Sequence, residues 1–224
     1  GIAFDGDADR LGVVDETGEI IWADQLIALF LPEVIEPGDK IIFDVKCSQA
    51  LEDMIKKYKG EPVMWKTGHS LIKNKMAESD CKLGGEMSGH IFFADDYFGY
   101  DDAIYVAARL IQMLSKTDKT LSELKSVIPI YHSTPEIRLE AESDEEKFKI
   151  AKLAVEYFIE NHDCSTIDGV RIQYENGWGL VRASNTQPVI VCRFEGDTPE
   201  RMNEIKNIVL DKLQEFGKLN ISAH

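Results

Sequence analysis

Short apolar runs alternate with amphipathic stretches through the first half of the chain, and that rhythm restricts the fold more than any single motif. Residues 40–45 are apolar, 50–58 amphipathic, 63–65 apolar again, and helical spacing returns from about Ser70 to Glu78. Strand and helix in turn predict a βαβ layer built on a parallel or mixed sheet. Residues 101–114 close that layer with a helix whose apolar stripe reads Ile104, Ala107, Ala108, Ile111 and Leu114. Ahead of it, residues 2–4 read as a buried strand feeding an Asp-rich loop. Residues 11–14 and 20–22 flank the turn Asp15-Glu16-Thr17-Gly18, and a helix after Asp24 carries Leu26, Ile27, Leu29 and Phe30 toward Pro32.

The order of elements changes near His132-Ser133-Thr134-Pro135. A strand at 136–139 precedes a helix that opens on a capping box, Ser143 with Glu146. Residues 170–174, 178–182 and 189–194 read as a three-stranded meander turning at Asn176-Gly177. The last helix opens with Thr198 as N-cap and Pro199 in its first turn, and stops near Gly217. The predicted fold class is therefore α/β plus α+β. A parallel or mixed-sheet βαβ domain is followed by a smaller C-terminal α+β domain of strand, helix, meander and helix.

Forty acidic residues against 25 basic ones give a net charge of −15. Such a field repels nucleic acid and anionic lipid, so neither is an expected partner. Any anionic ligand then needs cations concentrated locally, and Arg10, Lys66, His69, Lys73, Lys75 and Arg182 all fall in or near the motifs below. Cys47, Cys81, Cys164 and Cys192 are widely spaced and form no CxxC pair. With no apolar run approaching the length of a membrane span and no signal peptide, a reduced, cytoplasmic protein is expected.

Four segments carry chemistry. In Asp5-Gly6-Asp7-Ala8-Asp9-Arg10, carboxylates at alternate positions on an extended loop project to one side. Three carboxylates so close repel one another unless a cation sits among them, and oxygen-only ligands suit a hard cation such as Mg²⁺. Asp5, Asp7, Asp9 and Glu16 also match EF-hand positions 1, 3, 5 and 12. The sixth position, however, holds Arg10 where that loop needs glycine, and the flanks read as strands. In Trp65-Lys66-Thr67-Gly68-His69-Ser70, Lys66 and His69 sit between a strand and a helix, where ligands of α/β sheets dock. Gly84-Gly85-Glu86-Met87-Ser88-Gly89-His90 sets an acceptor, a hydroxyl and an imidazole on a glycine-rich loop, a set suited to vicinal sugar hydroxyls. Arg182-Ala183-Ser184-Asn185-Thr186-Gln187-Pro188 offers a guanidinium, two hydroxyls and an amide in a turn, which suits a phosphate dianion. Taken singly, each of the last three also fits an ordinary surface turn.

In this order and wording the segments resemble the α-D-phosphohexomutase family, specifically its phosphomannomutase/phosphoglucomutase branch. The resemblance covers essentially the whole chain and extends to Asp95-Asp96-Tyr97-Phe98-Gly99-Tyr100-Asp101-Asp102. It implies that Asp5, Asp7 and Asp9 ligate Mg²⁺ and that Arg10 is the catalytic basic residue beside a phosphoserine. It implies that Lys66 and His69 contact substrate and that Glu86 and Ser88 read the 3- and 4-hydroxyls, with His90 nearby. Arg182, Ser184, Asn185 and Thr186 would clamp phosphate. Ser184-Asn185-Thr186-Gln187-Pro188 and Glu86-Met87-Ser88 depart from the Ser-Gly-Thr-Glu-Pro and Glu-Gln-Ser wording of the amino-sugar branch, which favours glucose and mannose.

The resemblance further implies a mutase interconverting hexose 6-phosphate and hexose 1-phosphate through a phosphoserine enzyme and a bisphosphate intermediate. Its expected partners are the 1-, 6- and 1,6-phosphates of glucose or mannose, together with N-terminal domains of the same protein. The family's phosphoserine loop, worded Thr-x-Ser-His-Asn-Pro, does not occur in these 224 residues. We therefore expect a C-terminal piece of a longer protein that binds without turning over. Its expected domains are 1–21 as the tail of the metal-loop domain, 22–132 as the α/β sugar-binding domain, and 133–224 as the C-terminal phosphate-binding domain. The alternative is a metal-dependent sugar-phosphate binding module without mutase activity. A phosphatase using Asp5 as nucleophile is weaker, because Asp9-Arg10 stands where such a site would carry threonine.

Overall fold

The computed structural model describes residues 1–184 and 187–221, which form two units dividing between Pro129 and Ile130. The first begins with β1 (Ile2–Phe4), β2 (Leu11–Val14) and β3 (Ile20–Ile21), an antiparallel sheet in that order. Next come α1 (Ala23–Val34), β4 (Lys40–Asp44), α2 (Gln49–Lys57), β5 (Glu61–Trp65), α3 (His69–Ser79), β6 (Leu83–Gly85) and β7 (Ile91–Phe93). The helices α4 (Ala103–Ser115) and α5 (Leu121–Lys125) close this unit.

Its main sheet runs β5-β4-β6-β7, with β4 parallel to both β5 and β6 and β7 antiparallel at the edge. Helices cover both faces. Ile42 packs with Ile72 and Met76 of α3, while a Cβ built on Gly85 would strike Ile27 of α1 from the other side. A strand covered twice must be apolar on both faces, which is why Ile41, Ile42 and Phe43 run without alternation and are all buried. Burying one such side chain contributes about 1.5–3 kcal/mol.

The second unit holds β8 (His132–Ser133), β9 (Ile137–Glu140), α6 (Asp144–Asn161), β10 (Cys164–Ser165), β11 (Val170–Tyr174), β12 (Gly177–Ala183), β13 (Val189–Gly196), α7 (Pro199–Phe216) and β14 (Asn220–Ile221). Its antiparallel sheet has the order β10-β11-β12-β13-β9-β14, with β8 also pairing to β13. Ile150 and Phe158 of α6 and Ile205, Val209 and Leu213 of α7 pack on Ile172, Val181, Ile190 and Phe194. The α/β plus α+β expectation holds, as mixed parallel and antiparallel sheets with helices.

Four local readings need correction. Strand β1 is exposed, with Ile2 at 40% and Phe4 at 45%, because it is an edge strand paired only to β2. Helix α4 buries Ala103, Val106, Ala107, Leu110 and Met113, leaving Ile104 and Ile111 in solvent. Both stripes are apolar, so periodicity alone placed the face about one residue off. The hairpin turn is Glu175-Asn176, since Tyr174 pairs with Gly177. Asn176 takes the left-handed conformation, and Gly177 lies in the strand where a Cβ would sit 2.4 Å from the Glu195 carbonyl oxygen. At α6, Ser143 caps the Glu146 N–H, but the reciprocal bond of a capping box does not form among the described residues.

Candidate functional site

In the first unit the loops that follow the parallel strands converge, and a fully buried carboxylate ties them together. Asp44 ends the central strand β4, and its oxygens accept from Cys47 Sγ at 3.1 Å, Thr67 Oγ1 at 3.2 Å and the Met87 N–H at 3.2 Å. These three partners stand on the loops after β4, β5 and β6, at the carboxyl ends of the strands where α/β sheets bind ligands. Burial pushes the Asp44 carboxyl up, and the nearby Lys46 ammonium, 3.8 Å away, opposes this. Neither Asp44 nor Lys46 stood out in the sequence. The available signal was a charged pair at the end of an apolar strand.

Glu86, at the end of β6, is 2% exposed. One oxygen accepts the Gly68 N–H at the start of α3 at 2.6 Å, and the other pairs with His90 Nδ1 at 2.9 Å. Burial pushes Glu86 up, but its hydrogen bonds with His90 and Gly68 and the charges of His90 and Lys46 outweigh burial and hold it below the ordinary carboxylate value. Burial pulls the His90 imidazole down. The bond and charge of Glu86 and the charge of Asp9 overcome that and raise it. Its Nε2 faces Asp9 Oδ2 at 3.3 Å and Arg10 Nε at 3.3 Å. With the ring protonated, Nε2–H belongs to Asp9, and the Arg10 approach is then a contact between two donors. Ser88 is exposed, with its hydroxyl 3.1 Å from His90 Nδ1.

The Asp-rich loop lies against this cluster. Leu11 N–H donates to the Gly89 carbonyl at 3.1 Å, and Ala103 N–H to the Ala8 carbonyl at 3.0 Å. Gly89 has φ +110°, and an added Cβ would come within 3.0 Å of Arg10 Cβ, so glycine is needed for both conformation and space. One oxygen from each of Asp5, Asp7 and Asp9 lies within 4.8 Å of the others. The alternate spacing predicts this convergence from strand pleating. The structure produces it with a turn, in which Ala8 has φ +59° and its N–H bonds the Asp5 carbonyl. Asp9 Oδ1 is buried with no hydrogen bond and faces Arg10 Nε at an ion-pair distance of 3.7 Å, and Arg10 also pairs with Asp5 at 3.4 Å. A buried oxygen without a hydrogen bond among three carboxylates fits a hard divalent cation.

His69 and Lys66 differ in their surroundings. Lys66 is exposed on the loop after β5. The His69 ring stacks on His90 with centroids 5.4 Å apart, and its Nδ1 lies 2.8 Å from Asp101 Oδ2. Asp101 also accepts from Lys73 Nζ at 2.8 Å. Burial raises the Asp101 carboxyl, and the bonds from Lys73 and His69 outweigh this and lower it. Asp9, His90 and Asp101 form another possible ligand group, but the Asp101 oxygens are already taken up by Lys73 and His69, so Asp5, Asp7 and Asp9 fit a metal better.

In the second unit Arg182 is 7% exposed, and its Nε donates to Asp168 Oδ2 at 3.0 Å. Ser184 is buried, with its N–H on the Val189 carbonyl and its hydroxyl accepting the Gln187 N–H at 3.3 Å. Asn185 and Thr186, the other expected clamp residues, lie outside the described residues. Buried Lys147 reaches this loop from α6, a contact across some forty residues that no local pattern announced.

Mixed sheets with helices close on a carboxylate trio and on a hydroxyl- and imidazole-bearing loop, which defines an α/β domain with a candidate polar ligand site, and sequence comparison assigns the family. A model described as "Phosphoglucomutase/phosphomannomutase, alpha/beta/alpha domain III" matches residues 22–131, and one described as "Phosphoglucomutase/phosphomannomutase, C-terminal domain" matches 136–212. The chain belongs to the phosphoglucomutase/phosphomannomutase family.

A phosphomannomutase/phosphoglucomutase of Pseudomonas aeruginosa is 50% identical over 216 residues, covering 96% of this chain and 47% of that protein. The chain thus spans about half the length of the curated relatives it matches. A crystal structure of a phosphoglucomutase/phosphomannomutase family protein from Burkholderia thailandensis aligns with a TM-score of 0.87 at 40% identity, over 98% of this chain and 48% of that one. A more distant neighbour in fold is an Aspergillus fumigatus N-acetylphosphoglucosamine mutase, whose crystal structure is described as in complex with GlcNAc-6P and magnesium. Its TM-score is 0.66 at 15% identity, over 94% of this chain and 51% of that one. Among the described residues no helix is long and apolar enough to cross a membrane.

Proposed function

We propose that this chain provides the metal-, sugar- and phosphate-binding parts of a phosphohexose mutase that interconverts the 6- and 1-phosphates of glucose or mannose. The reaction would pass through a phosphoserine enzyme and a bisphosphorylated sugar. The observation that carries this reading is the Asp5, Asp7 and Asp9 trio, with a buried oxygen that accepts no hydrogen bond, set against the Glu86–His90 loop.

In this reading Asp5, Asp7 and Asp9 hold Mg²⁺, which when bound supplies Lewis-acid stabilisation of a transferring phosphoryl group. Arg10 places a positive charge beside that position. Glu86, Ser88 and His90 orient the sugar hydroxyls, with the exposed Ser88 hydroxyl as the accessible contact and buried Glu86 fixing the loop and ring behind it. Lys66 and His69 add polar contacts to substrate, and buried Lys46 joins them as a charge on the neighbouring loop. Arg182, Ser184, Asn185 and Thr186 bind phosphate in the second unit. Catalysis of this class rests on positioning and charge stabilisation.

The proposed division is 1–21 as part of a metal-loop domain, 22–132 as a sugar-binding domain and 133–224 as a phosphate-binding domain. The free cysteines, three of them buried, accord with a cytoplasmic protein. Because the 224 residues contain no phosphoserine loop of the family's wording, we propose that they bind hexose phosphate without multiple turnovers.

Calorimetric titration with Mg²⁺ against glucose 1-phosphate, mannose 1-phosphate and N-acetylglucosamine 1-phosphate tests the reading. Binding of the first two but not the third is expected. Binding without activity in the full-length protein would instead favour a sugar-phosphate binding module.

A further inference from the structure

Lys147 is a cation in a place where helix electrostatics argue against one. It stands in the first turns of the 18-residue helix α6, directly after Asp144, Glu145 and Glu146. The positive end of the helix dipole favours those acids and disfavours an ammonium. The lysine is nevertheless 2% exposed, and burying a charge is costly unless it is fully bonded. Its three N–H groups meet three acceptors: Asp144 Oδ1 at 2.7 Å, the Ser184 carbonyl at 3.0 Å and the Gln187 carbonyl at 3.0 Å. Two of these acceptors lie within the loop from Arg182 to Pro188. Further bonds close its base, from Ser184 N–H to the Val189 carbonyl, from Val189 N–H to the Gln187 carbonyl at 2.8 Å, and from Arg138 Nη1 to Gln187 Oε1 at 2.9 Å.

We infer that Lys147 is the positioning residue of this loop, holding it at the Ser184 and Gln187 carbonyls in a shape that serves the binding of a phosphate dianion. The inference rests on the phosphate-binding reading of the loop given above. Lys147 points its charge at backbone carbonyls and would not itself touch phosphate. Its effect is on loop shape, and removing it leaves two inward carbonyls without their strongest partner. Arginine can still donate to two carbonyls and should serve in part, whereas glutamine keeps at most a neutral donor on a shorter arm.

The test uses the 224-residue chain and its variants Lys147→Gln and Lys147→Arg, with hydrogen exchange across 184–189 and titration with inorganic phosphate. In Lys147→Gln, exchange in that segment should quicken about tenfold while β11 and the start of β12 are unchanged, and phosphate affinity should fall about tenfold. Lys147→Arg should recover a large part of both. Should Lys147→Gln fail to fold by circular dichroism, Asp144→Ala removes one acceptor from the solvent side and should give a smaller shift in the same segment. Unchanged exchange in 184–189 in a folded variant would overturn the inference. Quickened exchange in a chain whose wild type binds no phosphate would keep Lys147 as the loop's anchor and overturn the phosphate reading alone.

Discussion

Glu86 joins the start of α3 to the His90 ring, accepting the Gly68 N–H at 2.6 Å through one oxygen and facing His90 Nδ1 at 2.9 Å through the other. A carboxylate at a helix N-terminus gains from the backbone donors exposed there. The same carboxylate thus fixes the loop after β5 and the loop after β6. Glu86→Ala leaves a buried N–H and a buried imidazole without their acceptor, and should cost about 2–4 kcal/mol in urea unfolding of the first unit. Glu86→Gln keeps an acceptor for Gly68 and should cost less than half of that. Equal losses for the two variants would mean that the bond to Gly68 contributes nothing.

Lys46 is the nearest cation to the fully buried Asp44 carboxyl. Lys46→Met should destabilise the first unit by about 3 kcal/mol at neutral pH, because it leaves a buried charge uncompensated. An acid whose folded pKa is raised holds its proton more tightly when folded, so its stabilisation is present at low pH and is lost as pH rises above the unfolded value. The deficit of Lys46→Met should therefore shrink on acidification from pH 7 toward pH 5, measured against wild type at each pH. A deficit that is constant with pH would show that the pair does not couple.

If Asp5, Asp7 and Asp9 hold a cation in the native state, Mg²⁺ must stabilise the fold. At a free concentration of 100 times its Kd it should add about 2.7 kcal/mol, and chelation with EDTA should remove this. Asp9→Asn should abolish the Mg²⁺-dependent shift in Tm. Without metal its effect should be small, because relief of one of three crowded negative charges offsets the weakened pairings with His90 and Arg10. A Tm insensitive to Mg²⁺ in the wild type would remove the metal from the site.

The legible parts of the molecule were those whose cause is local. Thr198 before Pro199, the helix stop at Gly217, and the unalternating strand from Ile41 to Phe43 each follow from a few neighbouring residues. The motif residues Glu86, Ser88 and His90 were visible because glycines isolate them, and the structure does bring them together. The rest depends on contacts across long separations. Asp44 draws together Cys47, Thr67 and Met87, and Lys147 spans some forty residues to Ser184 and Gln187, so neither role has a sequence period to betray it. The buried face of α4 was ambiguous for another reason. With apolar residues on most of its circumference, only the neighbouring strands decide which stripe turns inward.

Gly89 is where the loop after β6 and the Asp-rich loop meet, and its substitution tests whether they act together. Gly89→Ala must hold alanine at φ +110° with its Cβ 3.0 Å from Arg10 Cβ. Backbone strain alone should cost about 1–3 kcal/mol. Moving Arg10 also moves its pairings with Asp5 and Asp9, so Mg²⁺ affinity should fall alongside stability. A variant that loses stability but keeps its Mg²⁺ affinity would separate the two loops.

Asp101 holds two side chains, His69 through Oδ2 and Lys73 through Oδ1, each at 2.8 Å. An aspartate serves both because each oxygen is an acceptor. An asparagine can serve one and must turn an N–H₂ group toward the other. Asp101→Asn should therefore free either the His69 ring or Lys73 and loosen the ring stack on His90. The expected cost is about 1–3 kcal/mol of stability. If His69 contacts hexose phosphate, the Kd for glucose 1-phosphate should also rise about tenfold, because a ligand must then order a ring that is no longer held. His69→Ala separates the two effects. It removes the ring outright, so adding Asp101→Asn to it should weaken binding little further. Full additivity of the two changes in binding would show that Asp101 acts on the ligand by some route other than His69.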